Sequence, residues 1–453
     1  MLDLRIVGGT VVSDGVAAPL DVAVEGGTIV AVAPPGTLGA AEVEVDASDL
    51  HVLPGVIDVH FHCRAPANPW RADFATETRA AAAGGVTTVC EMPISDPACS
   101  TPQAFATRRS LVAEQAHVNV ALYAGAAVTR SRAQEMAALG AIAFKLFMTS
   151  PPTGREREFD GLWATAEADI LDALVAVAST GLPCVVHAEN DALLRSFAAA
   201  SDTPVPPRPP LAEALAIASV AILAREAGAR LHVAHVTSRS ALAALRGAVA
   251  AGADVSGETC PQYLVLDEGA IERHGGIAKI GPPLRQRADC DALWHALAVG
   301  ELALLASDHS PFLVDEKTVP YLTAPMGLPT VEVLLSVLLD GVARGRLALE
   351  PAIALVTAAP ARLAGLYPRK GRIAPGADAD VAIVSLDETW RPGPATLISR
   401  AAGCGIVYDE MQLKGRVRTT IVNGRVAFEH SAPTPDRHGR FVPGAQAEGL
   451  APS

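Results

Sequence analysis

Apolar residues in this chain fall in short runs, and several runs end in a side chain that can bind a metal. The sharpest is Val56-Ile57-Asp58-Val59-His60-Phe61-His62. Similar runs stop at Lys145 (Ala143-Phe144-Lys145), His187 (Cys184-Val185-Val186-His187), His235 (Val233-Ala234-His235) and Asp308 (Leu305-Ala306-Ser307-Asp308). Glu91, after Val89-Cys90, is a weaker sixth. Short apolar runs bounded by turn residues read as buried strands. They fall near 53–60, 86–91, 118–124, 141–147, 183–187, 230–235, 253–257 and 302–307, separated by Ala/Leu-rich helical stretches. This alternation predicts an α/β chain with a (β/α)8 TIM barrel over residues 53–365. Ligand-type residues at strand ends place a site at one mouth of it.

The two ends of the chain read differently. Leu4-Arg5-Ile6-Val7 meets Gly8-Gly9, and Asp21-Val22-Ala23-Val24 meets Gly26-Gly27 before Ile29-Val30-Ala31-Val32. Asp380-Val381-Ala382-Ile383-Val384 and Thr419-Thr420-Ile421-Val422 repeat that style, and Asn423-Gly424 marks a hairpin turn. Residues 1–52 plus 366–430 are therefore expected to form one small β-sandwich domain from both termini. The Pro- and Gly-rich residues 431–453 read as an extended C-terminal tail, loosely ordered or an arm on a neighbouring subunit.

Composition narrows the function. A chain of 453 residues fits one large catalytic domain and a smaller one. No apolar run reaches the roughly 18 residues of a membrane span. The start, Met1-Leu2-Asp3-Leu4-Arg5, lacks the features of a signal peptide. A net charge of -13 without a basic run argues against nucleic acid and anionic membranes. Seven scattered cysteines without a CxxC pair imply reduced thiols and a cytoplasmic protein.

His60 and His62 are two apart on a strand, so both project from one face and can chelate one ion. Taken alone they are as readily two unrelated surface histidines. Lys145 lies among Ala143, Phe144, Leu146 and Phe147. Burial lowers a lysine pKa, and a neutral amine can add carbon dioxide to become an anionic, two-oxygen carbamate able to bridge two metals. From the local sequence a lysine that snorkels to the barrel mouth or pairs with an acid is the simpler reading. His187, His235 and Asp308 gain weight from their repeated placement on different strands. His232 reads as structural, and His309 as packing or hydrogen-bonding behind the ligands. Two divalent ions held this way would lower the pKa of a shared water toward neutrality. Asp308 would then move the proton to a leaving nitrogen, a site suited to an unactivated amide.

These residues lie in stretches that resemble a known family. They are Gly55-Val56-Ile57-Asp58-Val59-His60-Phe61-His62, Ala82-Ala83-Gly84-Gly85-Val86-Thr87-Thr88-Val89, Phe144-Lys145-Leu146-Phe147 and Val186-His187-Ala188-Glu189-Asn190. They continue through His232-Val233-Ala234-His235-Val236-Thr237-Ser238, Gly257-Glu258-Thr259-Cys260-Pro261-Gln262-Tyr263-Leu264, Pro282-Pro283-Leu284-Arg285 and Ser307-Asp308-His309-Ser310-Pro311-Phe312. A last stretch runs from Gly371 to Asp380. In order and spacing the chain resembles the cyclic amidohydrolases: allantoinases, hydantoinases (dihydropyrimidinases) and dihydroorotases. The resemblance implies two divalent metal ions, zinc by family habit. His60 and His62 would hold one and His187 and His235 the other, with carboxylated Lys145 bridging and Asp308 as ligand and acid/base. It also implies a homotetramer or homodimer, and a small cyclic ureide as substrate.

The subfamily signals divide. Glu91-Met92-Pro93 and Ser307-Asp308-His309-Ser310-Pro311 look like allantoinases; Thr259-Cys260-Pro261-Gln262-Tyr263-Leu264 and Arg208-Pro209-Pro210 before Glu213 look like hydantoinases. Arg64 occupies the position of a carboxylate-binding arginine in dihydroorotases, but Ile94 replaces their asparagine. Hydantoinases carry a tyrosine shortly after the bridging lysine, where this chain has Met148-Thr149-Ser150. The expectation is an allantoinase-like hydrolase that opens a hydantoin-type ring, with hydantoinase as the alternative. Dihydroorotase, a non-cyclic amide or carbamate hydrolase and a non-enzymatic scaffold are lesser readings. Arg64 would meet a polar substituent or, failing that, pair with Asp73 or Glu77. By family analogy, the backbone at Gly281, Met326 and Gly327 would hold the ring amides.

Overall fold

The structure is a computed structural model that describes residues 1–200 and 208–447. The barrel strands are β1 (Val56–Phe61), β2 (Val86–Glu91), β3 (Asn119–Leu122, resumed at Ala124–Gly125), β4 (Phe144–Phe147), β5 (Cys184–His187), β6 (Leu231–Val233), β7 (Val255–Thr259) and β8 (Leu304–Leu305). Each pairs in parallel with the next. Between β8 and β1 the contact is sparser. The Ser307 N–H donates to the Asp58 carboxylate at 2.9 Å and the His62 N–H to the His309 carbonyl at 2.8 Å. The expected strand at 302–307 is short because the chain leaves the ladder early and turns inward, reaching a φ of 48° at Asp308.

Ile57, Val59, Ala121, Tyr123, Val185 and Leu304 form one buried cluster along these strands. Val442 of the tail belongs to the same cluster. Over residues 439–444 the tail lies against the barrel of its own chain. The Val120 N–H donates to the Arg440 carbonyl at 2.9 Å, the Val442 N–H to the Val120 carbonyl at 2.9 Å and the Gly444 N–H to the Gly140 carbonyl at 3.0 Å. Its glycines serve close approach: a Cβ at Gly439 would lie 2.0 Å from the Val118 carbonyl oxygen, and one at Gly444 2.4 Å from that of Ala141. A composition that suggests looseness here permits tight packing. The last residues, 448–453, lie outside the described ones.

Strands from both termini share a sheet. His51–Pro54 pairs with Val381–Trp390 at the middle of this sheet; Thr10–Ser13 and Val16–Pro19 continue it beyond His51–Pro54, and Leu413–Val422 and Arg425–Glu429 continue it on the other side, beyond Val381–Trp390. A four-stranded sheet of Thr28–Ala33, Asp21–Glu25, Leu2–Val7 and Ala41–Asp46 accompanies it. Leu4, Val22, Val24, Val52, Val381 and Ile421 make a common core. Asn423 and Gly424 take φ values of 51° and 76°, which suit a tight hairpin turn. Among the described residues, no helix is long and apolar enough to cross a membrane.

Candidate metal centre

Ile57 and Val59 belong to the inner cluster, so strict alternation along β1 would turn His60 and His62 away from it. The register with β2 slips by one residue between Asp58, opposite Val89, and Phe61, opposite Glu91. Such a bulge exchanges the two faces. Both histidines therefore enter the mouth, while Phe61 joins the outer core and stacks on His309 at 5.0 Å. His60 Nε2 lies 3.3 Å and His62 Nε2 3.5 Å from Asp308 Oδ1. Ligand atoms of these three residues lie within 4.8 Å of one another, close enough to share an ion.

His187 ends β5, and His235 follows two residues after β6. His187 Nδ1 faces His235 Nε2 at 3.0 Å. The His60 and His235 rings are 5.4 Å apart, which joins the two histidine pairs. His235 and Asp308 take φ values of 38° and 48°, a left-handed backbone that costs non-glycine residues roughly 1–3 kcal/mol and clusters at functional sites. Lys145 is 0% exposed and its Nζ has no hydrogen-bond partner. It neither snorkels nor pairs with an acid.

Burial pushes all four histidines toward the neutral form, with the Lys145 charge adding to the effect on each; His60 falls to about 4. Burial likewise lowers Lys145 and raises Asp308. Neutral imidazoles offer lone pairs. Lys145 Nζ, His62 Nδ1 and His235 Nδ1 are all buried without partners, so the chain alone leaves this donor set incomplete. Imidazole nitrogens with a carboxylate oxygen suit zinc or a similar divalent ion.

Three acids behind the histidines went unassigned in the sequence. Glu258 Oε1 lies 2.5 Å from His60 Nδ1, and its Oε2 lies 3.2 Å from His232 Nε2. Glu189 Oε2 lies 2.8 Å from His187 Nε2, and Arg208 Nε donates to Glu189 Oε1 at 3.1 Å. Asp58 accepts from the His60 N–H at 3.2 Å and from Ser307. An acid two residues after a strand-end histidine, as in His187-Ala188-Glu189, is a readable signal. Nothing local marks Glu258 as the partner of His60.

Glu91 is not placed as a ligand. Its carboxylate accepts the N–H groups of Cys63 at 2.9 Å and Arg64 at 3.0 Å and pairs with Arg108. The acids weighed for Arg64 are engaged elsewhere. Asp73 caps the helix Phe74–Ala83, and Glu77 lies 2.9 Å from His309 Nε2. Arg64 instead donates from Nη2 to Ser310 Oγ at 2.9 Å and faces Glu158 at 3.4 Å. Gly281 and Met326 adjoin: a Cβ on the glycine would meet Met326 Sδ at 2.6 Å. The Gly327 N–H is committed to the Lys279 carbonyl at 3.1 Å, and its own carbonyl accepts Lys317 Nζ at 2.5 Å. Gly281 and Met326 are left as the freer backbone.

The sequence matches the model of the amidohydrolase family over residues 51–427. It is 36% identical to an allantoinase of Rubrobacter xylanophilus, covering 97% of each chain. It is 34% identical to a dihydroorotase of Syntrophotalea carbinolica, covering 92% of this chain and 96% of that one. The fold superposes on an L-hydantoinase (dihydropyrimidinase) from Arthrobacter aurescens with a TM-score of 0.91 at 29% identity, covering 98% of this chain and 100% of the other. With its histidines, lysine and aspartate gathered where the barrel strands end, the chain belongs to the amidohydrolase family, among the hydrolases of cyclic amides.

Proposed function

We propose that this protein opens a five-membered cyclic ureide at an amide bond, in the manner of an allantoinase. The observation that carries the reading is the unpartnered, buried Lys145 beside four neutral histidines and Asp308. His60 and His62 would hold one divalent ion, His187 and His235 the other, with zinc suited to both. Lys145 would bridge them as a carbamate. Its neutral amine forms an N–C bond to carbon dioxide and releases a proton to solvent. When bound, such ions activate water near neutral pH and polarise a carbonyl. Asp308, adjacent to His60 and His62, takes the proton from the attacking water and delivers it to the leaving ring nitrogen. Arg64 would meet a ring substituent, and the backbone at Gly281 and Met326 the ring amides.

Relatives named allantoinase, at 36%, 35% and 34% identity, support the allantoinase form. So does the segment after Lys145: the Ser150 N–H donates to Asp191 at 2.9 Å, and no tyrosine stands there. The likeness to hydantoinase structures supports the alternative. The same reading assigns 53–365 to the catalytic barrel and 1–52 plus 366–430 to the β-domain. Seven free cysteines, all buried, support a reducing cytoplasm. A homodimer or homotetramer rests on the family resemblance.

The test is a ring-opening assay on zinc-loaded protein in bicarbonate, with allantoin, hydantoin, 5-phenylhydantoin, dihydrouracil and dihydroorotate. Lys145→Ala is the inactive control. Turnover of allantoin alone is expected. Turnover of substituted hydantoins or dihydrouracil moves the assignment to hydantoinase. Silence on every ring with two zincs bound removes the cyclic-ureide reading.

A further inference from the structure

Beside the metal nest a guanidinium and a carboxylate from two loops face each other. Arg64 lies two residues beyond His62, and Ser310 two beyond Asp308. Arg64 is only 5% exposed. Its Nη2 donates to Ser310 Oγ at 2.9 Å, its Nη1 lies 3.4 Å from Glu158 Oε2, and the Phe312 ring lies 4.9 Å from its Cζ. Its Nε has no partner. A buried arginine next to a catalytic centre ordinarily recruits an anion. Here the chain supplies its own.

Glu158 sits on the short turn Glu156–Phe159. It also takes Arg155, with Nε to Oε1 at 2.8 Å and Nη2 to Oε2 at 2.5 Å. Arg155 thus holds the carboxylate against Arg64. Burial alone would raise the Glu158 carboxyl, but Arg155, Arg64 and Arg71 outweigh it and keep the group anionic.

We infer that Glu158 is a specificity determinant: it occupies the anion position of Arg64 and so favours neutral ring substituents over carboxylates. The inference rests on the cyclic-ureide reading and deepens it by naming the substituent. A carboxylate on the ring would have to displace Glu158 from two guanidinium groups or lie beside a like charge. An uncharged ureido group complements the pair, since its carbonyl accepts from Arg64 while its N–H donates to Glu158. The point divides relatives that sequence identity does not, because allantoinases and dihydroorotases match this chain almost equally, at 36% and 34%.

The experiment compares allantoin with dihydroorotate, a carboxylate-bearing ring. It measures kcat/KM for each, and affinity by titration calorimetry, on the metal-loaded full chain. The proteins are wild type, Glu158→Gln, Glu158→Ala and Asp96→Asn. Asp96 pairs at 3.1 Å with the exposed Arg157, so its variant removes a nearby acid without touching Arg64. Both Glu158 variants are expected to raise the preference for dihydroorotate over allantoin at least tenfold, and Asp96→Asn to leave it unmoved. An unchanged preference in both Glu158 variants overturns the inference, as does a wild type that prefers dihydroorotate. If the wild type opens no ring with two metals bound, the cyclic-ureide reading falls on its own. Calorimetry then decides Glu158: a gain in dihydroorotate affinity in Glu158→Gln supports the role, and no gain overturns it.

Discussion

His187 turns Nδ1 toward His235 because its other nitrogen is engaged: Nε2 lies 2.8 Å from Glu189. Arg208 and His187 hold the Glu189 carboxyl well below its usual range although burial opposes them. The acid therefore sets which imidazole nitrogen keeps a lone pair. Glu189→Gln keeps the shape and removes the charge. Metal content should drop from two ions per chain toward one, with affinity at the His187–His235 position weakened about 10–100-fold. Elemental analysis after dialysis against graded chelator measures this, and wild-type retention of both ions refutes it.

Glu258 should act alike on the other half of the nest. It binds His60 and is itself steadied by His232, whose Nδ1 lies 2.7 Å from Ser256 Oγ. Glu258→Gln is expected to weaken the His60–His62 position about 10–100-fold, and His232→Asn to do so less. Competition with a fluorescent chelator separates the two effects.

Lys145 is expected to carry a carbamate. Protein exchanged into carbon-13 bicarbonate with zinc should show a carbamate carbon resonance that Lys145→Ala lacks. The same variant should lose ring-opening activity by several orders of magnitude while keeping its far-UV circular dichroism. A carbamate-free wild type of full activity would falsify the bridge.

Glu332 is expected to make stability fall as pH rises. Burial, reinforced by Glu77, pushes its carboxyl up from 4.5 to about 8 against hydrogen bonds from the Ser399 and Ile398 N–H groups. Below the lower value both folded and unfolded chains hold the proton. Between the two values the unfolded chain releases it and the folded chain keeps it, so the unfolded state binds fewer protons and stability declines. The decline ends above the folded value, after a loss on the order of a few kcal/mol. Urea titrations from about pH 5 to 8 should show a shallower decline in Glu332→Gln.

Val442, 4% exposed and clustered with Ile57 and Val59, makes the C-terminal tail part of the barrel. Val442→Ala should cost about 2 kcal/mol through a buried cavity. Val442→Asp should cost more by burying an unpaired charge. Chemical denaturation measures both, and a tail that only brushes the surface would leave the midpoint unmoved.

Much of the site was legible because its signals are local. An apolar run that stops at a ligand-type residue requires only neighbouring positions to be seen. His60, His62, His187, His235 and Asp308 lie within a few residues of the end of their strands, and Lys145 lies inside its own, two residues before Phe147. The Asn423-Gly424 turn and the β-character of both termini were readable for the same reason. The bulge in β1 was not, since period-two alternation places His60 and His62 on one face without saying which face. That depended on the register with β2.

Residue types and their short-range periods thus determined the strands, the barrel and the candidate ligands. Tertiary structure decided what stands behind and beside the ligands. His60 and Glu258 are 198 residues apart, and Arg64 and Glu158 are 94. Such pairs exist only after the strands assemble and bring their loops to one end, and many acids in the chain could have satisfied the same arginine or histidine. The tail followed the same logic: its glycines and prolines resembled a loose segment until the barrel supplied a surface close enough to require them.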